Sequence, residues 1–255
     1  MNWKICFYLI CGVVLLYLIL PIFVVIPISF SSADYLQFPP PGFSLKWYRV
    51  FFNDYQWLLA AKRSFEVAII TTIFSTFLGI LSSLSFMKGN LKGKEFINFL
   101  LLSPMIIPVI IISVAIYGLY ASLGLIGTVF GLVIGHTIMA FPFVFVTVSA
   151  ALTDFNIEIE YASLSLGANR LKTFLKVTLP IIRPGVMSSA IFAFIISFDE
   201  LVVSMFITGR RYTLPVKMWM DIRSEINPTI TAVSSLLICL SVIILGSTNL
   251  LMRKK

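Results

Sequence analysis

Charge is scarce in this chain. Only 12% of its 255 residues are Asp, Glu, Lys or Arg, about half the share of an ordinary soluble domain. Histidine occurs once, at position 136, and cysteine three times. Cys6, Cys11 and Cys239 all lie in apolar stretches. They have no metal-ligand spacing and do not suit a disulfide framework, so they read as apolar filler. The sequence contains no nucleophile elbow, zinc helix motif or phosphate loop. No catalytic residue, metal or cofactor is therefore expected, and any ATP-driven work needs a partner chain. The net charge of +8 is not gathered into a basic patch on a soluble fold, so nucleic acid is not an expected partner.

Apolar residues are abundant instead. They make up 59% of the chain, and the mean hydropathy is +1.00. Repeated apolar runs of about 20 residues are long enough to cross a bilayer. The expected fold class is an all-α membrane protein with six transmembrane helices. We expect one transmembrane domain over residues 1–255, without an attached soluble domain. The crossings are expected near 5–30, 64–87, 96–122, 127–152, 185–208 and 229–252, with a polar loop at 153–184.

The runs differ in detail. The first is too long for a signal-peptide core and lacks a convincing small-residue exit, so it reads as a retained helix, kinked by Pro21 and Pro27. The polar connection from Ser31 to Arg63 contains Pro39, Pro40, Pro41 and Gly42, which forbid a helix there. Ser44 can cap the segment SLKWYRVFFNDYQWLL, whose aromatic residues suit a short helix on the membrane surface. Pro104 and Pro108 break the first half of the third run, either as a packing kink or as a gating hinge. Gly127, Gly131 and Gly135 recur every four residues, so they would share one helix face and admit a close neighbour.

Six crossings put both termini on one side, and the positive-inside rule chooses which. With the termini inside, the inner segments carry Lys4, Lys88, Lys92, Lys94, the basic residues of 153–184 and the terminal Arg253, Lys254 and Lys255. That is eleven of the 19 basic residues, against four acidic ones. Both termini and the 153–184 loop are thus expected in the cytoplasm. Lys62 and Arg63 go against the rule without outweighing it.

Few ionisable residues fall at membrane depth. A charge there costs at least about 2.5 kcal/mol on insertion scales and usually faces the bundle interior or a water-filled cavity. Asp199 and Glu200 lie in SFDELVV, expected in the outer half of the fifth helix. Helix neighbours point about 100° apart. One or both could line a cation pathway, or pair with Ser, Thr or His between helices. His136 has no second ligand or acid at useful spacing and reads as an interhelical hydrogen-bonding residue, ahead of a proton relay or a metal ligand.

The 153–184 loop has helical amphipathic patterning rather than solid apolarity. Ile157–Leu166 is expected as a short helix ended by Gly167 in a left-handed conformation. Asn169 can cap a second helix, Arg170–Leu179, which Pro180 should interrupt. The result would be a rigid elbow able to take a push from a cytoplasmic partner, or an interfacial loop with its basic face on anionic lipid headgroups.

This elbow resembles the EAA loop of the inner-membrane permeases of ATP-binding-cassette importers. That signature runs E-A-A, three residues, Gly, nine residues, then I-x-L-P. Aligned on Gly167, it ends here on Val177-Thr178-Leu179-Pro180. The triplet is altered to Tyr161, Ala162 and Ser163, with Glu160 one residue early, which puts in doubt any ionic contact of the family's glutamate. SPMIIPVIIISVAIYGL, SFDELVVSMFITG, TLPVKMWMDIRSEINPTITAVSSLL and FSLKWYRVFF are similar to the polyamine branch, and in particular to the second permease subunit of spermidine/putrescine importers.

The resemblance implies a six-helix type I importer permease fold with a cytoplasmic coupling helix, in the bacterial inner membrane. Glu160, Tyr161, Ala162, Ser163, Gly167, Ala168, Leu179 and Pro180 would form the ATPase-coupling loop. Two copies of a cytoplasmic ATPase, a homologous second permease and a periplasmic binding protein would be the partners, and alternating access the mechanism. A polyamine would be the substrate, with Asp199 and Glu200 as candidate pathway residues. Related permeases carry iron, sulfate or thiamine on similar scaffolds, so fold does not decide cargo. An ATP-independent transporter would be expected to show internal repeats or more intramembrane charge, and no convincing repeat is present. An intramembrane enzyme would have to pair His136 with Asp199 across two helices, without a nucleophile motif.

Overall fold

The computed structural model describes residues 3–89, 92–224 and 227–252. Helices dominate them, and the single isolated β-bridge recorded joins Ser31 to Phe43. The chain forms two compact units, Met1–Leu59 with Lys217–Leu251, and Ala60–Val216 with Met252–Lys255.

In the first unit α1 (Trp3–Ser29) contains both Pro21 and Pro27 and continues past them. The surface helix is shorter than expected, as α2 (Lys46–Asn53). The Ser44 hydroxyl accepts the Lys46 N–H at 3.1 Å. Asp54 ends α2, because its carboxylate takes the Gln56 N–H at 2.7 Å and the Trp57 N–H at 3.3 Å. These are helix-start contacts, so α3 (Tyr55–Lys88) begins nine residues before the expected second crossing. Trp47, Phe51 and Trp57 are buried, whereas Phe52 and Tyr55 of the same segment are exposed. The unit also holds all but the last residue of α12 (Thr229–Met252) and all but the first three residues of α11 (Leu214–Ser224).

The second unit is built around α6 (Val129–Thr153). The fourth crossing is therefore where it was expected. Near its N-terminal end, Leu132 and Val133 pack with Val67 of α3 and Ile116 and Tyr120 of α5 (Val109–Leu123). Val203 and Ile207 of α10 (Val202–Ile207) complete that cluster. Farther along α6, Val144, Val148 and Leu152 pack with Ile182 and Ala193 of α9 (Leu179–Phe198). The three-glycine face is corrected in part. Gly127 lies in the turn before α6, at φ +77°. Gly135 does serve close packing: a Cβ there would lie 2.9 Å from Ile207 Cδ1 and 3.1 Å from Val203 Cγ1.

Four helices are long and apolar enough to cross a membrane, and a fifth if a bent pair counts as one span. The expected six are therefore not reached among the described residues. The third crossing is that bent pair, α4 (Lys94–Ile106) and α5, which meet at 100°. Ile107 precedes Pro108 and is extended, at φ −74° and ψ 131°, as the proline ring demands of its neighbour. The sixth crossing coincides with α12, but its described apolar stretch, Thr229–Ile243, is shorter than a bilayer span. Arg253, Lys254 and Lys255, expected to close the chain on the inner side, lie outside the described residues.

The fifth crossing is corrected at both ends. Pro180 does not interrupt the helix that Asn169 starts. The apolar helical run extends from Arg170 to Phe198, through α8 (Arg170–Thr173), a π-turn (Phe174–Thr178) and α9. The Leu179 N–H reaches back five residues to the Phe174 carbonyl. Such widening accommodates a residue that lacks an N–H and crowds the carbonyl four residues before it. At the far end α9 stops at Phe198, and α10 starts only at Val202. Asp199 and Glu200 thus stand in a helix break, and not on a continuous helix.

Candidate functional site

The break follows from the chemistry of Glu200. The α9 ladder closes with the Asp199 N–H on the Ile195 carbonyl at 3.0 Å. The Glu200 carboxylate then takes the Val203 N–H at 2.9 Å. A side chain competing for backbone donors in this way starts a new helix instead of continuing the old one. In α10 the Met205 N–H bonds the Leu201 carbonyl at 2.8 Å.

The two acids are therefore unlike. Glu200 is half-buried and spent on the backbone of α10. Asp199 is exposed, and among the described residues its carboxylate has no hydrogen bond or ion pair. Phe198 precedes it and belongs to an aromatic cluster. The Phe198 ring lies 4.9 Å from Phe65 edge-on and 5.5 Å from Phe194, stacked. Free carboxylate and aromatic surface in one neighbourhood can hold an organic cation, whose charge is attracted both to the anion and to ring faces.

His136 sits behind this break, 1% exposed. Its Nδ1 lies 2.9 Å from the Ser197 hydroxyl and its Nε2 2.8 Å from the Ser204 hydroxyl. The expected interhelical hydrogen bonding is what the structure shows. Sequence reading left Ser197 and Ser204 unnamed, as it did Phe65, Phe194 and Phe198. The signal available was spacing: two serines seven residues apart straddle the acids.

The connection after α10 is tied to α3. The Arg63 guanidinium donates to the Arg211 carbonyl at 2.7 Å, and the Leu214 N–H donates to the Ser64 hydroxyl at 2.8 Å. Arg63 is buried, so its place outside the positive-inside pattern goes with a structural bond.

The elbow is a second constellation. It comprises α7 (Glu158–Ser165), a turn through Gly167 at φ +86°, and α8. Only glycine takes that φ without strain, and a Cβ there would meet open space, so conformation alone sets the residue. The Asn169 side-chain Oδ1 accepts the Lys172 N–H at 2.8 Å, the expected cap. The two arms are bonded together. The Thr178 hydroxyl donates to the Glu160 carboxylate, and the Ser163 and Thr173 hydroxyls lie 3.1 Å apart. Thr173 and Thr178 are buried.

These bonds give the long signature spacing a physical meaning, because its ends meet across the fold of the elbow. Glu160, displaced by one from the family triplet, holds the elbow from inside. Tyr161, Ala162, Gly167 and Pro180 are exposed, whereas Ser163, Ala168 and Leu179 are half-buried. Leu166, at the tip, is 90% exposed. The outer surface also carries Leu171, Arg170, Lys172 and Lys176.

Comparison with known proteins identifies the family. The chain is 30% identical over 240 residues to the spermidine/putrescine transport system permease protein PotC of Escherichia coli strain K12, covering 94% of this chain and 90% of that one. It is 28% identical over 230 residues to the putrescine transport system permease protein PotI of the same strain, covering 87% and 82%. A bacterial ABC transporter involved in import of the acidic polysaccharide alginate has the same fold, with a TM-score of 0.71 at 15% identity over 99% of this chain and 95% of that one. Residues 75–255 match the family described as binding-protein-dependent transport system inner membrane component. The chain belongs to that family, and it is a multi-pass permease subunit of an ABC importer.

Proposed function

We propose that this permease carries polyamines, and that the break at Asp199 lies on their path. The observation that carries this reading is the exposed Asp199 carboxylate, without a partner among the described residues, beside the Phe65–Phe194–Phe198 cluster. A charge left unsatisfied in an apolar bundle is costly and normally serves a pathway. A polyamine is a flexible chain of ammonium groups with apolar spacers, so it matches acid and rings together. The names of the relatives, spermidine/putrescine and putrescine permeases, point to the same cargo.

The 153–184 elbow would dock a cytoplasmic ATPase. The supporting observations are its internally bonded arms and the bare Leu166 tip, an apolar surface that a protein groove would cover. On this reading both termini are cytoplasmic, as the distribution of basic residues favours. Two ATPase copies hydrolyse ATP, a homologous second permease completes the pathway, and a periplasmic binding protein delivers cargo. ATP binding moves the elbows and switches the cavity between inward and outward access.

The test is uptake of labelled spermidine and putrescine in cells with and without this chain, its partner subunits present, and with iron and sulfate as controls. Loss of polyamine uptake alone is expected. Unchanged polyamine uptake, in cells lacking any second polyamine importer, would discard the cargo assignment while leaving the permease assignment intact.

A further inference from the structure

The geometry points to His136 as a positioning residue that sets where the Asp199 carboxylate stands. At Asp199 and Glu200 the two helices are no longer one rod. Something else must hold the end of α9 and the start of α10 in register. His136 touches both. Ser197 lies two residues before Asp199, and Ser204 four residues after Glu200, and each hydroxyl bonds a different nitrogen of the same ring. All three side chains are almost fully buried. A flat, rigid ring with a polar nitrogen on each side fixes the separation of its two partners better than a flexible chain would.

The neighbouring residue prepares the approach. Gly135 leaves room for Ile207 and Val203 of α10, which brings α10 close enough to α6 for Ser204 to reach the ring. The outer end of α10 is secured too, because the Gly127 N–H donates to the Ile207 carbonyl at 2.8 Å. The pieces of the broken helix are thus moored to α6 and to the turn before it. With both halves fixed, Glu200 stays on the α10 backbone and Asp199 stays exposed. Loss of the ring would let the halves shift and move the acid.

This inference deepens the reading of Asp199 as a pathway residue and rests on it. Its mechanical part can be tested separately, in the complete transporter. Cys6, Cys11 and Cys239 are first replaced by serine, and Asp199→Cys is introduced. The rate of labelling by a positively charged thiol reagent is then compared with and without His136→Ala, at matched membrane content of the chain. We expect the rate to change at least threefold with His136→Ala, and His136→Gln, which keeps a donor and an acceptor, to restore part of it. In the chain retaining Asp199, His136→Ala is expected to raise the polyamine concentration for half-maximal uptake more than it lowers the maximal rate. An unchanged labelling rate would overturn the positioning role. A changed rate together with full uptake in Asp199→Asn would retain the mooring and sink the pathway assignment instead.

Discussion

The elbow and the acid break both interrupt helices, and they do so by opposite means. At the elbow the chain turns because of local backbone chemistry. Gly167 takes a left-handed conformation and Asn169 caps the next helix. Few side-chain bonds to the rest of the bundle are needed, and the surface is left bare, as a docking element requires. At the break no glycine or proline intervenes between Phe198 and Val202. Glu200 takes a backbone donor of the next helix, and a buried histidine on another helix secures the result. An elbow whose turn is set locally can move as a unit under an external push. A break held by tertiary bonds keeps its geometry only while its neighbours stay in place.

Variants can break this comparison. The largest effect is expected from Gly167→Pro, because proline locks φ near −65° where the chain needs +86°. Association with the ATPase, measured by co-purification, should be abolished while membrane insertion is normal. Retained association would show that the elbow shape is not what the partner reads.

Asp199→Asn should act on the opposite function. Loss of a charged partner for an ammonium, at about 1.5–3 kcal/mol, corresponds to roughly a tenfold or greater fall in polyamine uptake, with assembly preserved. Unchanged uptake would reassign Asp199 to packing. A loss of ATPase association in this variant would collapse the separation of roles between the two regions.

Smaller effects should grade the elbow internally. Thr178→Val removes the donor to Glu160. Leaving a buried acceptor short of a partner costs about 1–3 kcal/mol, and the lower end is expected because Glu160 is only half-buried and has a further interaction. Cargo-stimulated ATP hydrolysis by the assembled transporter should fall several-fold, with unaltered association. Asn169→Ala removes a cap worth about 1 kcal/mol and should weaken coupling least, because the helix it starts continues into the apolar run to Phe198. If Asn169→Ala proves as severe as Gly167→Pro, the arms of the elbow are held by the cap and not by the glycine turn.

Legibility in the sequence followed the same division. The all-α membrane class, the helix at 129–153, the Gly167 turn and the Asn169 cap were all readable. Each depends on apolar run length or on one residue's own backbone preference. The hundred-degree bend was only half-visible: Pro104 and Pro108 marked the place, but not the angle. The passage through Pro180 was misread, because proline usually ends a helix and the π-turn that absorbs it has no composition signal. Asp199 and Glu200 were found by their cost in an apolar run, but were placed on a continuous helix.

By itself the sequence determined that this chain is an all-α membrane protein and that a glycine-turned polar elbow interrupts its apolar runs. Its scarcity of charge made every acid at depth conspicuous. Only the tertiary structure decided how the two acids divide their roles, and that His136 joins both sides of their break. The reason is physical. Apolar length and backbone preference act within a few residues, whereas the Ser197–His136–Ser204 bridge joins positions 61 and 68 residues apart that meet only when α6 packs against α9 and α10.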